Sequence, residues 1–156
     1  MQSRYERFSY LISVIYRHIQ KLERDEMIQY GYKGAFAQYL AAMNRYPDGI
    51  TSAQLCEICD KDKAAVSRVV MEMESSGLVE RRLENDTLYR ARLVLTPQGR
   101  QAADFVAQRA QTAVDAAGKG LTEEDRRAFY AALDLIASNL QWISKTGIPN
   151  EETKLP

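Results

Sequence analysis

The stretch ITSAQLCEICDKDKAAVSRVVMEMESSGLVERRLENDTLYRARLVLTPQG, residues 50–99, decides the fold. Thr51 or Ser52 can cap a short helix whose inward residues are Leu55 and Ile58. Asp60-Lys61 makes a tight connection. Asp62 can cap a second helix, Asp62–Ser76, in which Val66, Val69, Val70 and Met73 recur at three- and four-residue spacing before Gly77 ends it. The period then changes to two. Residues 78–83 read as a strand, 84–87 as a polar turn and 88–95 as a second strand. Tyr89, Ala91, Leu93 and Leu95 fall on one face of that strand, and Arg90, Arg92 and Val94 on the other. Thr96-Pro97 starts the next helix with a capping hydroxyl and a proline at the first helical position. Two short helices with a tight turn, followed by a β-hairpin, spell a winged helix-turn-helix.

On the N-terminal side, residues 3–30 read as one long helix with Tyr5, Phe8, Leu11, Ile12, Ile15, His18, Ile19 and Leu22 on a stripe, closed by Gly31. A second apolar-periodic run, Gly34 to Tyr46, stops at Pro47-Asp48-Gly49. On the C-terminal side, one helix runs to about Ala117, and Gly118-Lys-Gly120 ends it. Thr122 and Asp125 open a last helix to about Ser144. The fold class is mainly α with a small β-hairpin wing. Residues 1–31 and 97–145 are the long flanking helices, 32–96 the winged lobe and 146–156 a tail expected to be mobile. The apolar stripes of the last two helices are wide for the surface of a monomer, and burial in a dimer explains them.

Composition narrows the function. The 156 residues carry 21 Lys+Arg and 21 Asp+Glu, a net charge of zero. No apolar run reaches the ~18 residues that span a membrane, and the first ten residues do not resemble a signal peptide. Two cysteines are too few for a disulfide scaffold, which points to a reducing, cytoplasmic home. No metal-ligand cluster, phosphate loop or nucleophile–base pair is present, so no cofactor is expected and enzyme chemistry is disfavoured.

In a winged helix-turn-helix the second helix enters the DNA major groove, because a helix fits its width of roughly 12 Å. Its early residues here are Lys63, Ala64, Ala65, Ser67 and Arg68. The alanines allow close approach and can touch thymine methyls. Ser67 can bond a base or a phosphate, and the Arg68 fork suits guanine or phosphate. Ser52 opens the preceding helix, and Arg81, Arg82, Arg90 and Arg92 stud the hairpin. The same pattern is also compatible with an ordinary buried helix pair and hairpin.

These segments, with Gly77-Leu-Val-Glu-Arg81 entering the wing and Leu95-Thr-Pro-Gln-Gly99 leaving it, resemble the multiple-antibiotic-resistance regulator (MarR) family. The resemblance covers nearly the whole chain. It implies a homodimer interlocked through its N- and C-terminal helices, with two winged lobes on a pseudo-palindromic operator in double-stranded DNA. It implies a transcription regulator, most often a repressor released by a small aromatic or phenolic ligand. It also implies an effector pocket between the dimerisation helices and the lobe, to which Tyr10, Val14, Arg17, His18, Tyr39 and Met43 could contribute. The chain departs from the family pattern in the wing, where Thr87-Leu88-Tyr89 replaces Asp-Arg-Arg and Asp86 sits one residue early. It departs also at Lys61, at Met71-Glu72 in place of Asp-Arg, and at Cys56 and Cys59.

Several readings stay open. Cys56 and Cys59 are either small buried hydrophobes or a thiol sensor. Positions three apart on a helix sit ~5–6 Å apart at Cβ, wider than the ~3.8 Å of a disulfide. His18 is either a packing histidine or a ligand contact. Over residues 60–92 the basic and acidic side chains balance again, so neutrality persists inside the lobe itself. That balance implies weak non-specific DNA affinity. It leaves room for a winged-helix module that docks a protein instead.

Overall fold

The structure is a computed structural model that describes residues 3–84 and 87–149, with the backbone alone for 84 and 87–90. The element order is α1 (Arg4–Tyr30), α2 (Phe36–Asn44), α3 (Ser52–Cys59), α4 (Lys63–Ser75), β1 (Val79–Glu84), β2 (Thr87–Leu95), α5 (Pro97–Ala117) and α6 (Glu123–Thr146). The chain divides into two compact units, Met1–Val114 and Asp115–Pro156. No described helix is long and apolar enough to cross a membrane.

Local chemistry sets the helix ends. Ser3 and Glu6 form a reciprocal capping box that starts α1, and Gly31 ends it in the left-handed conformation. Of the two candidate caps for α3, Thr51 does the work: its hydroxyl accepts the Gln54 N–H at 3.2 Å, and its own N–H donates to the Gln54 side chain at 3.0 Å. Ser52 is therefore the first helical residue and not the cap. Asp62 caps α4 by accepting the Ala65 N–H at 2.8 Å. The turn between α3 and α4 is closed by Asp60, which holds φ 50°. A short polar side chain tolerates this left-handed conformation better than a branched one.

The core of the first unit gathers Met27 from α1, Phe36, Leu40 and Met43 from α2, Leu55 and Cys59 from α3, and Val66, Val70 and Met73 from α4, with Leu78, Leu93, Ala102 and Val106. The α3 contribution corrects the sequence reading. Ile58 is exposed, while Cys59 lies inward as its reading as a small buried hydrophobe has it. Eight residues make barely two turns, so the face is set by the four-residue step from Leu55 to Cys59.

The hairpin is antiparallel, pairing Val79 with Leu95 and Arg81 with Leu93, with an irregularity between Arg82 and Glu84. Ile50 adds an isolated bridge to Leu93. Here too the sequence pattern is modified: Leu93, Val94 and Leu95 are all buried, because the base of the hairpin is covered on both faces. A Cβ on Gly49 would sit 3.2 Å from the Val94 side chain, so the segment before Ile50 lies directly against it. The predicted turn residues 85 and 86, including Asp86, lie outside the described residues, as does most of the tail.

The motif Leu95-Thr-Pro-Gln-Gly99 locks the wing to α5. The Thr96 N–H donates to the Leu78 carbonyl at 3.0 Å, and its hydroxyl donates to the Gly77 carbonyl at 2.6 Å while accepting the Gly99 N–H at 3.0 Å. Gly99 is required by this closeness: a Cβ there would lie 1.9 Å from the Leu78 oxygen. In the second unit, Thr122 and Asp125 form a reciprocal capping box. The Thr122 hydrogen bonds hold the Asp125 carboxyl below its ordinary range. That helix extends to Thr146, two residues past the expected end.

Candidate nucleic-acid interface

The second helix of the motif, α4, has a clean division of faces. Val66, Val70 and Met73 are buried, while Lys63, Ala64, Ser67, Arg68, Met71, Glu72 and Ser75 are exposed. At about 100° per residue, positions 64, 68, 71 and 75 fall within an arc of about 60° opposite the buried face. Ala65 is half-buried on the flank. Among the described residues, neither Lys63 nor Arg68 has an ion-pair partner. Two cations and a hydroxyl thus stand on an outward helical surface. Ser52, half-buried, opens α3 on the other side of the turn.

The hairpin arginines are less available than their number suggests. Arg81 reaches back to Glu74 on α4 with two bonds, Nε to Oε1 at 2.9 Å and Nη2 to Oε2 at 3.3 Å. Arg82 pairs with its strand neighbour Glu80 at 3.1 Å. Arg92 is half-buried and donates to the Gly49 carbonyl at 3.3 Å. The Arg90 side chain lies outside the described residues. These pairings depend on how side chains meet across elements, which strand alternation does not encode.

Sequence reasoning also missed what Glu72 does. Its carboxylate takes Lys33 Nζ at 2.8 Å across 39 residues of chain. This exposed pair spans a shallow groove of about 440 Å³ whose lining includes Tyr32, Phe36, Met71 and Ser75. Exposed pairs of this kind contribute little to stability, roughly 0–1 kcal/mol.

The six candidate effector contacts do not come together. Tyr39 and Met43 are core residues, 4% and 2% exposed, because α2 is buried along most of its length. Tyr10, Arg17 and His18 are exposed on the N-terminal half of α1, with Val14 half-buried. Another groove, of about 370 Å³, is lined by Ile19 and Glu23 of α1, Ala41, Asn44 and Arg45 from the α2 region, and Ala103, Val106 and Ala110 of α5. Burial pushes the Glu23 carboxyl above its ordinary pKa of 4.5, an effect that Arg45 opposes. Glu23 follows Ile19 by four residues on the inward stripe, and an acidic residue in that series is the signal that could have marked it.

Both cysteines are free. Cys59 lies in the core, and Cys56 is half-buried against it. Burial, with Cys56 beside it, pushes the Cys59 thiol above its ordinary pKa, while Lys61 opposes the shift. A buried, protonated thiol behaves as a small hydrophobe. Among the described residues no group of three or more His, Cys, Asp or Glu could hold a metal ion.

Two short helices with a left-handed turn, an outward-facing second helix and an antiparallel hairpin locked to the next helix define a winged helix-turn-helix protein. The MarR family model matches residues 30–87. That stretch takes in α2, α3, α4 and the start of the hairpin, so the likeness falls on the helix-turn-helix itself. Solved structures agree in fold. A MarR-family regulator from Silicibacter pomeroyi is 26% identical, with a TM-score of 0.71 over 84% of this chain and 88% of its own. A MarR-family regulator from Listeria monocytogenes, solved with a 26mer DNA, is 22% identical, with a TM-score of 0.72 over 90% and 95%. The DNA complex of MepR from Staphylococcus aureus is 19% identical, with a TM-score of 0.68 over 85% and 97%. No curated protein sequence matches the chain.

Proposed function

We propose that the chain is a cytoplasmic homodimeric regulator that binds a pseudo-palindromic operator in double-stranded DNA through two copies of α4 about 34 Å apart. The observation that carries this reading is the outward face of α4, where Lys63, Ala64, Ser67 and Arg68 are exposed and both cations are unpaired among the described residues. The Listeria monocytogenes and MepR complexes with DNA support it. Ser52 and the arginines Arg81, Arg82, Arg90 and Arg92 would serve phosphates, with Arg81 and Arg82 leaving Glu74 and Glu80 to do so.

Dimerisation is supported by apolar surface on both long terminal helices. On α1, Tyr5, Phe8, Leu11, Ile12, Ile15 and Tyr16 are exposed; on α6, Phe129, Tyr130, Leu135, Ile136 and Leu140 are, and no residue of α6 is buried. Soluble monomers rarely show such continuous apolar faces. Repression follows if the operator overlaps a promoter. Release by a small aromatic or phenolic ligand requires that it bind the DNA-incompetent arrangement more tightly. The groove between α1, α2 and α5 has the size of a small-molecule site, and it supports Glu23 and Arg45 as contacts ahead of the core residues Tyr39 and Met43.

A second reading, a winged-helix module that docks a protein, is favoured by the acidic partners of Arg81, Arg82 and Lys33. Sedimentation velocity of the protein alone, and with a duplex enriched from a random library, separates the two. The first reading expects two protomers in each species. A monomer, or a library that yields no enriched duplex, would reject it.

A further inference from the structure

The outward face of α4 holds one large apolar side chain, Met71, beside the shallow groove that Lys33 and Glu72 span. Met71 is 57% exposed. It lies at one edge of that arc, about 20° from Ala64 and about 60° from Arg68 around the helix axis. Exposing an unbranched thioether there forfeits burial energy, and its neighbours on the arc are Ala64, Ser67, Arg68 and Ser75. Lys63 and Arg68 give that surface the charge to sit against phosphates. The apolar residue is therefore placed where base edges pass, not where water is the natural neighbour.

We infer that Met71 is a specificity-determining residue that reads the C5-methyl group of a thymine in the major groove. The inference rests on the proposed DNA-binding role of α4. The thymine methyl is the one apolar feature of a base pair in that groove, and the other base edges present hydrogen-bonding groups that a methionine cannot satisfy. Met71 stands seven residues, or about 10 Å, along the axis from Ala64. Ala64 has little reach, whereas the three rotatable bonds of Met71 let it follow the methyl across a small misfit.

The test uses the full-length protein and a duplex enriched from a random library. Each thymine is replaced in turn by deoxyuridine, which removes the methyl and leaves every hydrogen-bonding group. The wild-type protein should lose about fourfold in affinity at one position of each half-site, the equivalent of about 0.8 kcal/mol for one buried methyl group. Met71→Ala should bind the thymine duplex more weakly and show no further loss with deoxyuridine at that position. Met71→Leu should retain most of the effect. A flat deoxyuridine scan, or a loss that persists unchanged in Met71→Ala, overturns the inference while Arg68→Ala still reports on DNA binding itself. If no duplex is enriched, the DNA-binding reading fails and the role of Met71 falls with it.

Discussion

Gly99→Ala sets two effects of opposite sign against each other at the joint between wing and α5. Helix propensity alone favours alanine over glycine by about 1 kcal/mol. The structure opposes it with contact. The added Cβ would stand 1.9 Å from the Leu78 carbonyl oxygen and 2.9 Å from its carbon, both backbone atoms with no rotamer to yield. An ordinary carbon–oxygen approach is about 3.3 Å or more, so the start of α5 must retreat from Leu78 by more than 1 Å. That retreat strains the Thr96 N–H bond to the Leu78 carbonyl and the Thr96 hydroxyl bond to the Gly77 carbonyl. Overpacking of about 1–3 kcal/mol, with one or two hydrogen bonds at about 1 kcal/mol each, outweighs the propensity gain. The net expectation is a destabilisation of about 1–4 kcal/mol. Urea unfolding followed by circular dichroism measures it, with the slope held equal to wild type. A variant as stable as wild type, or more so, would refute the steric account of the Leu-Thr-x-x-Gly motif.

Three further outcomes follow from the same geometry. Asp60→Val forces a branched side chain into the left-handed turn between α3 and α4 and should cost about 1–2 kcal/mol, read from the same urea curves; no loss would mean the turn relaxes freely. Alkylation of the native protein should label Cys56 well before Cys59, whose thiol burial keeps protonated; mass spectrometry showing Cys59 labelled first would reopen thiol sensing. Glu23 holds its proton more tightly folded than unfolded, so wild-type stability should fall as pH rises from below 4.5 through the raised value. Glu23→Gln should therefore be more stable than wild type at neutral pH and lose that advantage near pH 3; an advantage that does not change with pH would place its origin elsewhere.

The backbone plan was legible because it rests on period and punctuation. The buried series Val66, Val70, Met73 and the caps at Asp62, Gly77 and Thr96 each announce themselves within a few residues. The exposed face of α4, with Lys63 and Arg68, follows from that series by subtraction. What escaped is decided between elements. Nothing near Glu72 in sequence announces Lys33, and nothing near Arg81 other than its charge announces Glu74. Ile58 turns outward while Cys59 lies in the core as one of its two readings has it, because a two-turn helix fits either face until its neighbours choose. Val94 looked outward because strand alternation presumes one open face, and Gly49 covers it. Tyr39 and Met43 resembled pocket residues only because aromatic and sulfur side chains serve cavities and cores alike; their depth in α2 makes them core.

The central claim is that the outward face of α4 meets DNA. The most direct measurement is fluorescence anisotropy of wild type and Arg68→Ala on one enriched duplex over a salt series, with both proteins shown to be equally folded. Arg68 is exposed and unpaired among the described residues, so its removal should weaken binding by about 1–3 kcal/mol if it reads a base, or reduce the salt slope by about one if it holds a phosphate. Equal affinity and equal slope for the two proteins would contradict the assignment of α4 as the recognition helix.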